Sequence, residues 1–460
     1  MTKAHSIDMC NGPITGKLLR FAMPLMCSSI LQLLFNAADI VVVGRFCGED
    51  SMAAVGSTSS LINLMTNLFM GLSIGSNVLV ARYYGAKEEK KVKSSVHTSI
   101  ALSLLCGIIL TVIGVLFTNQ ILVWMQTPDS ILPLAAKYLR IYFLGITSVM
   151  IYNFGNSILR AVGDTKRPLY FLFISGVINL LLNLFFVIVI GMGVSGVALA
   201  TIISQCVSAA LIIRCLCKDD DIYRLVLKKI RFEKDELIRI LKIGIPAGLY
   251  GTIFSLSNVV IQSSVNSFGE TVMAGSAAAM NIEGFVYVAM NAFHQAAVSF
   301  TSQNYGAGRM DRICPILISS LICVIATGVL LGQLAVLFGN ELLGIYSDKA
   351  KVIEYGMIRL KCICGTYALC GMMDVMVGSL RGLGKSVLPT IVSLIGACGL
   401  RLVWIFTYFQ MNSHHTQKVL YMSYPISWSI TFVAHVISFL IVWNKIKKSI
   451  EFKENDKAYF

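Results

Sequence analysis

Long apolar runs alternate along the chain with short polar interruptions, at a length that only membrane-crossing helices explain. About 20 apolar residues at about 1.5 Å per residue cross a hydrocarbon core of about 30 Å. Such runs fall near 17–44, 52–81, 94–117, 134–158, 168–190 and 194–217, and then near 237–266, 271–304, 313–338, 352–378, 386–408 and 421–444. The pattern predicts an all-α polytopic membrane protein of twelve transmembrane helices in two pseudo-symmetric six-helix lobes. The longest charged stretch, KDDDIYRLVLKKIRFEKDE at 218–236, separates the two sets of spans. The expected organisation is therefore a first lobe at 1–217, a cytoplasmic linker at 218–236 and a second lobe with its tail at 237–460. Residues 1–16 are polar and hold no apolar segment followed by a small-residue cleavage site, so the first span is expected to be retained.

The halves repeat each other. ARYYGA at 81–86 recurs as SQNYGA at 302–307, and RAVGDTKRP at 160–168 recurs as RGLGKSVLP at 381–389, both at an offset of 221. Pro24 aligns with Pro246, and Asn36 with Asn258, at an offset of 222, which puts a one-residue deletion in the turn around Phe268 to Met273. An even number of spans per half makes both halves enter the membrane the same way round. That predicts a symmetry axis along the membrane normal and a central cleft between two bundles.

A composition of 56% hydrophobic and 13% charged residues excludes an ordinary soluble domain. The net charge of +14 raises a nucleic-acid partner as a question, and its distribution answers it. Lys and Arg gather in alternate loops, in the 218–236 linker and in the tail, which places both termini in the cytoplasm of a plasma-membrane protein in contact with anionic lipid. No nucleic acid is expected. GMGVSG at 191–196 lies in a tight turn with no acidic residue about 20 positions on, so it is not a dinucleotide fingerprint. The 13 cysteines lie mostly within spans, Cys362 and Cys364 lack zinc partners at suitable spacing, and there is no Walker A sequence. No paired catalytic groups share one depth. An enzyme is not expected, nor a resident cofactor.

Polar residues inside the spans carry the functional signal. Asp39 in the first span shares one helix face with Asn36, Gln32 and Ser28. Interhelical hydrogen bonding would account for the amides, but an ionisable acid costs about 2.5 to 3.5 kcal/mol on insertion scales, which points to a proton or cation site. Counting residues from the span ends brings Asn183 of the fifth span and Thr201 of the sixth to the depth of Asp39, with Asn179 one turn from Asn183. One carboxylate, two amides and a hydroxyl suit a hard cation such as Na+. They equally suit helix packing, and spacing leaves both readings open. The remaining intramembrane charges break the repeat: Asp39 aligns with Ile261, Glu283 with Ile62, Asp374 with Asn153 and Arg401 with Leu180. Glu283, Tyr287 and His294 fall within about 40° on one face of the eighth span. For Glu283 an ion pair with Arg401 and a substrate role are both expected possibilities.

The stretch NAADIVVVGRFCG at 36–48, AAVG at 53–56, the paired YGA signatures, the two RxxG(x)4P loops and NLLLN at 179–183 together resemble the multidrug and toxic compound extrusion (MATE) transporters. The resemblance covers essentially the whole chain. It implies two lobes in a V and secondary active export of small amphipathic cations and other xenobiotics, by antiport with H+ or Na+, from a monomer embedded in lipid. Relatives build the amino-terminal cation site from a first-span Asp, an Asn-x3-Asp pair and a sixth-span Thr, which map onto Asp39, Asn179, Asn183 and Thr201. Asn36 is expected to join this coupling group. Asn183 stands where relatives carry an Asp, which removes a negative charge and argues against tight sodium binding. The family's tenth-span Asp maps onto Asp374, and the substrate path is expected to run along Gln32, Glu283, Tyr287, His294, Asp374 and Arg401. A lipid or lipid-linked oligosaccharide flippase of related architecture is the alternative, and it would need a cationic cleft for which only Arg401, Arg359 and Lys361 are candidates. The loop RYYGAKEEKKV lacks the G-x-x-x-D-R pattern of the sugar-phosphate-type facilitators.

Overall fold

The computed structural model describes residues 6–125, 127–411 and 415–458, and among them there is no strand. The first six spans are α1 (Ile14–Phe46), α2 (Glu49–Gly85), α3 (Glu89–Trp124), α4 (Leu132–Leu144 with Ile146–Ala161), α5 (Lys166–Leu184, ending in a π turn at Phe185–Val189) and α6 (Val194–Lys218). The second six are α7 (Lys234–Asn266), α8 (Glu270–Gly306), α9 (Ile313–Leu337), α10 (Ala350–Ile363 with Ala368–Gly382), α11 (Val387–Ser393, a π turn at Leu394–Gly399, then Leu400–Phe406) and α12 (Gln417–Ala458). Every apolar run predicted from the sequence forms its helix. Charged flanks extend several of them: α3 begins at Glu89, and α12 continues through a Lys-rich segment of good helix formers.

Two spans are not straight. The halves of α4 meet at 49° and those of α10 at 44°, the first beside Gly145 and the second around Gly365. Apolar patterning predicted one continuous span in each place. A Cβ on Gly145 would run into Ile202 of α6, so the break lies where a neighbouring helix presses on backbone.

By packing, the chain forms two compact units, Met1–Thr252 with Ser299–Ile313, and Ile253–Val298 with Cys314–Phe460. The first unit is built on a core that includes Leu72, Val80, Ile100, Leu139, Phe154, Ile158 and Ile212. One end of α7 and one of α8 belong to it because backbone touches backbone there. A Cβ on Gly71 of α2 would collide with the backbone of Gly248 of α7. At the ends of α2 and α8, a Cβ on Gly85 would strike the Gln303 carbonyl, and one on Gly306 would strike the Arg82 carbonyl. These are repeat-equivalent positions, so the paired YGA signatures mark a contact that each repeat makes with the other. Ser299 Oγ donates to Asn77 Oδ1 at 3.1 Å and Ser302 Oγ to the Val78 carbonyl at 2.8 Å beside it.

The paired RxxG loops have a local cause too. Gly163 and Gly384 end α4 and α10 with φ of +94° and +81°, a conformation that side-chain-bearing residues rarely adopt. Against Gly163 lies the N-terminal segment: Ile7 N–H donates to the Gly163 carbonyl at 3.0 Å, Asn304 Nδ2 to the Met9 carbonyl at 2.9 Å, and Met9 is fully buried. This segment forms part of the wall of a cavity of about 810 Å³ that Tyr84, Lys87, Asp221 and Gln303 also line.

The second unit packs Met373, Val377 and Leu380 of α10 in its interior. Tyr367 lies 5.4 Å from Trp428 of α12, and Tyr424 lies 5.5 Å from the same indole.

Candidate functional site

Helices α1 and α5 meet where α5 has no side chain. A Cβ on Gly176 would occupy the Phe35 ring, so that ring seats against α5 backbone and brings the next turn of α1 onto Asn179 and Asn183. Both amides are buried, with Asn183 fully so, while Asp39 keeps part of its surface. Asn183 Nδ2 donates to Asp39 Oδ1 and, at 3.3 Å, to Asn179 Oδ1. Asn179 Nδ2 donates in turn to Thr201 Oγ1 at 3.4 Å, and the Thr201 hydroxyl donates to the Val197 carbonyl at 2.9 Å. Four residues chosen by depth and face thus form one continuous relay across α1, α5 and α6.

The relay leaves one acceptor over. Asn183 Oδ1 is buried and has no hydrogen-bond partner among the described residues. A buried carbonyl without a donor costs about 1 to 3 kcal/mol, and it lies on the residue that already grips Asp39. The set supplies a carboxylate, amide oxygens and a hydroxyl, which fits a proton or a hard monovalent cation. Asn36 and Gln32 share the predicted face, but both are exposed, and no hydrogen bond joins them to Asp39. Tyr138 of α4 escaped the sequence reading. It is buried within electrostatic reach of Asp39 and stacks on Tyr142 at 6.2 Å. Its only sequence signal is the aromatic pair at i,i+4 spacing.

In the second unit the structure corrects one expectation. Glu283 pairs with Arg359, not Arg401: Arg359 Nε donates to Oε1 at 2.7 Å and Nη2 to Oε2 at 2.8 Å, while Nη1 donates to Ser276 Oγ at 2.9 Å. Both partners are less than a tenth exposed. The surroundings of the two arginines give the reason: Ser276 on α8 holds Arg359 beside Glu283, while the Arg401 guanidinium lies among the rings of Phe254, Tyr424 and Trp428. Tyr287 and His294 do face α10: Tyr287 lies 6.5 Å from Tyr367 and within electrostatic reach of Asp374, and His294 Nδ1 is 2.6 Å from the Asp374 backbone carbonyl. Asp374 is itself buried, with Arg381 as its charged neighbour. Arg401 forms an ion pair with none of these carboxylates, its Nε donating to Ser427 Oγ at 2.9 Å.

A duplicated bundle of six and six spans, with a solitary half-buried carboxylate in its first half, defines a membrane transporter rather than an enzyme. Comparison with known proteins places it within that class. The MatE family model matches residues 24–185 and matches again at 246–407, so the chain belongs to the MatE (MATE) family of transporters. Its halves are two copies of the family unit. The chain is 28% identical over 437 residues to the probable multidrug resistance protein YoeA of Bacillus subtilis, covering 92% of this chain and 93% of that one. It is also 28% identical over 394 residues to the probable multidrug resistance protein YpnP of the same organism, covering 86% and 88%. Among solved structures, a MATE in its bent conformation superimposes with a TM-score of 0.88 at 21% identity, over 96% of this chain and 98% of that one.

Proposed function

We propose that the protein exports small amphipathic organic cations from the cell by antiport, as a monomer with both termini in the cytoplasm, and that Asp39 carries the coupling ion. The relay from Asp39 through Asn183 and Asn179 to Thr201 carries this reading. A part-buried carboxylate inside a span, with a single hydrogen-bond donor and no cation beside it among the described residues, can be neutralised by a proton or by sodium. Asn183 stands where a second acid would strengthen metal binding, so one carboxylate with neutral oxygens fits a proton better than sodium. A cationic substrate and the coupling ion then compete for one negative charge, and opening the site to either side exchanges them. Apolar walls select loosely by shape, which supports a broad range of substrates. Because Glu283 is engaged by Arg359, Asp374 is the acid left to attract cations in the second half. The same pairing removes Arg359 from the cationic cleft that a lipid flippase would need.

Counterflow of a monocationic dye in proteoliposomes, under imposed pH or sodium gradients, tests the reading. Driven export should follow the pH gradient and disappear in Asp39→Asn, with insertion and folding retained. An Asp39→Asn protein moving dye at the wild-type rate, with the same dependence on pH and sodium, would place coupling elsewhere.

A further inference from the structure

Among the described residues, Arg401 is the largest charged side chain that is fully enclosed, at 1% exposure. Its surroundings do not compensate it. Nε donates to Ser427 Oγ, whose own hydroxyl is committed to the Tyr424 carbonyl at 2.9 Å. The guanidinium carbon lies 4.2 Å from the Tyr424 ring centre, 5.4 Å from that of Trp428 and 5.7 Å from that of Phe254. Ring faces attract a cation but accept no ordinary hydrogen bond. Nη1 and Nη2 of Arg401 are buried without hydrogen-bond partners among the described residues, and so is the indole Nε1 of Trp428. Neither buried acid of this unit pairs with it: Glu283 is held by Arg359, and Asp374 has Arg381 as its charged neighbour. The result is a cluster of unsatisfied N–H donors around one uncompensated positive charge. A buried charge without an ionic partner is costly, and three buried N–H-bearing nitrogens left without an acceptor beside it are a rare arrangement.

We propose that this cluster in the second half is a site for a monovalent anion, a halide ion or the carboxylate of a small organic molecule, received by the guanidinium fork of Arg401 and the indole N–H of Trp428. The planar fork matches a carboxylate with two parallel hydrogen bonds and also suits a spherical halide. A single positive charge with neutral donors disfavours a divalent anion. The π turn at Leu394–Gly399 immediately precedes the helical turn bearing Arg401, and such irregular turns let a side chain shift without breaking its span. The site goes beyond the proposed export of cations, and its test does not depend on transport.

The purified full-length protein in lipid nanodiscs would be titrated with sodium chloride and, separately, sodium acetate, with sulfate holding the ionic strength constant. Thermal unfolding and tryptophan fluorescence are the readouts. The expected result is a saturable rise in Tm and a fluorescence change with chloride or acetate, neither of them produced by sulfate. Both should vanish in Arg401→Gln, and half-saturation should rise about tenfold in Trp428→Phe, which keeps an aromatic face and deletes one donor to the anion. A response to acetate alone identifies the carboxylate of an organic ligand as the occupant, and a response to both identifies a simple anion site. Equal responses in the wild type and Arg401→Gln, or no anion-specific response in the wild type, would overturn the proposal. Should Arg401→Gln fail to fold, the Trp428→Phe titration decides: an unchanged half-saturation rejects the site.

Discussion

The two halves of the chain share a scaffold and oppose each other in charge. In the first, the half-buried carboxylate of Asp39 has no ionic partner among the described residues and is held by the neutral Asn183–Asn179 amides. In the second, the carboxylate of Glu283 is locked to Arg359, and the fully enclosed guanidinium of Arg401 has no ionic partner among the described residues. None of these charges has a counterpart at the equivalent position of the other repeat. The helices and the glycine contacts are what duplication preserved, and the polarity of each interior was set afterwards by single residues. A shared fold therefore says little about which ion each half handles, and the side-chain environment has to be read separately in each.

The largest effect that would break this contrast is in Asp39→Asn, where gradient-driven dye export should fall to background while surface expression stays normal. Next is Arg359→Gln, which strands a buried acid and should cost about 3 to 5 kcal/mol, measured as a fall in unfolding temperature. Adding Glu283→Gln should restore most of that loss. Full stability in the single variant would show that the pair is not what holds α8 to α10. Asn183→Asp sharpens the comparison by giving the first half a second acid, and the dependence of counterflow on external sodium should then exceed that of the parent. Gly176→Ala should cost about 1 to 3 kcal/mol by displacing the Phe35 ring, and should weaken coupling as α1 withdraws from Asn183.

The smallest effect concerns the N-terminal segment. Burial works to raise the Asp8 carboxyl, but the bond from the Asn11 side chain, the backbone N–H groups of Cys10 and Asn11 and the charge of Lys17 outweigh it and hold Asp8 below its ordinary 3.8. A lowered carboxylate contributes its stability above the unfolded value and loses it as pH falls through the folded one. Protection of the Cys10 and Asn11 amides from hydrogen exchange should therefore fade only below about pH 4 in the wild type, and should already be reduced at neutral pH in Asp8→Asn.

Much of this was legible in the chain because the bilayer simplifies the reading. Helix-length apolar runs located all twelve spans, and depth with helical face assembled Asp39, Asn179, Asn183 and Thr201 before any coordinates. Depth carried less where a helix is interrupted. The bend in α4 lies where Ile202 of α6 presses on the Gly145 backbone, and hydropathy records neither that contact, nor the bend in α10, nor the two π turns. The sequence offers Arg359 only as a candidate for a cationic cleft, because its partner Glu283 is set by which faces of α8 and α10 meet, and hydropathy does not record that. The donors around Arg401 and Trp428 were invisible for a further reason: a missing partner is a property of the whole surroundings, not of any motif.

The mutual contact of Gly85 and Gly306 also bears on origins. Each glycine admits the carbonyl of the other repeat, Gln303 in one case and Arg82 in the other, and these two residues are themselves equivalents. A patch that receives its own counterpart is the geometry of an isologous dimer interface, so a single six-span ancestor could have assembled with a second copy of itself through this same surface. We hypothesise that the contact still directs assembly. Fragments from a chain cut within the 218–236 linker and co-expressed should then co-purify, and bulky substitution of both glycines should abolish recovery of the pair.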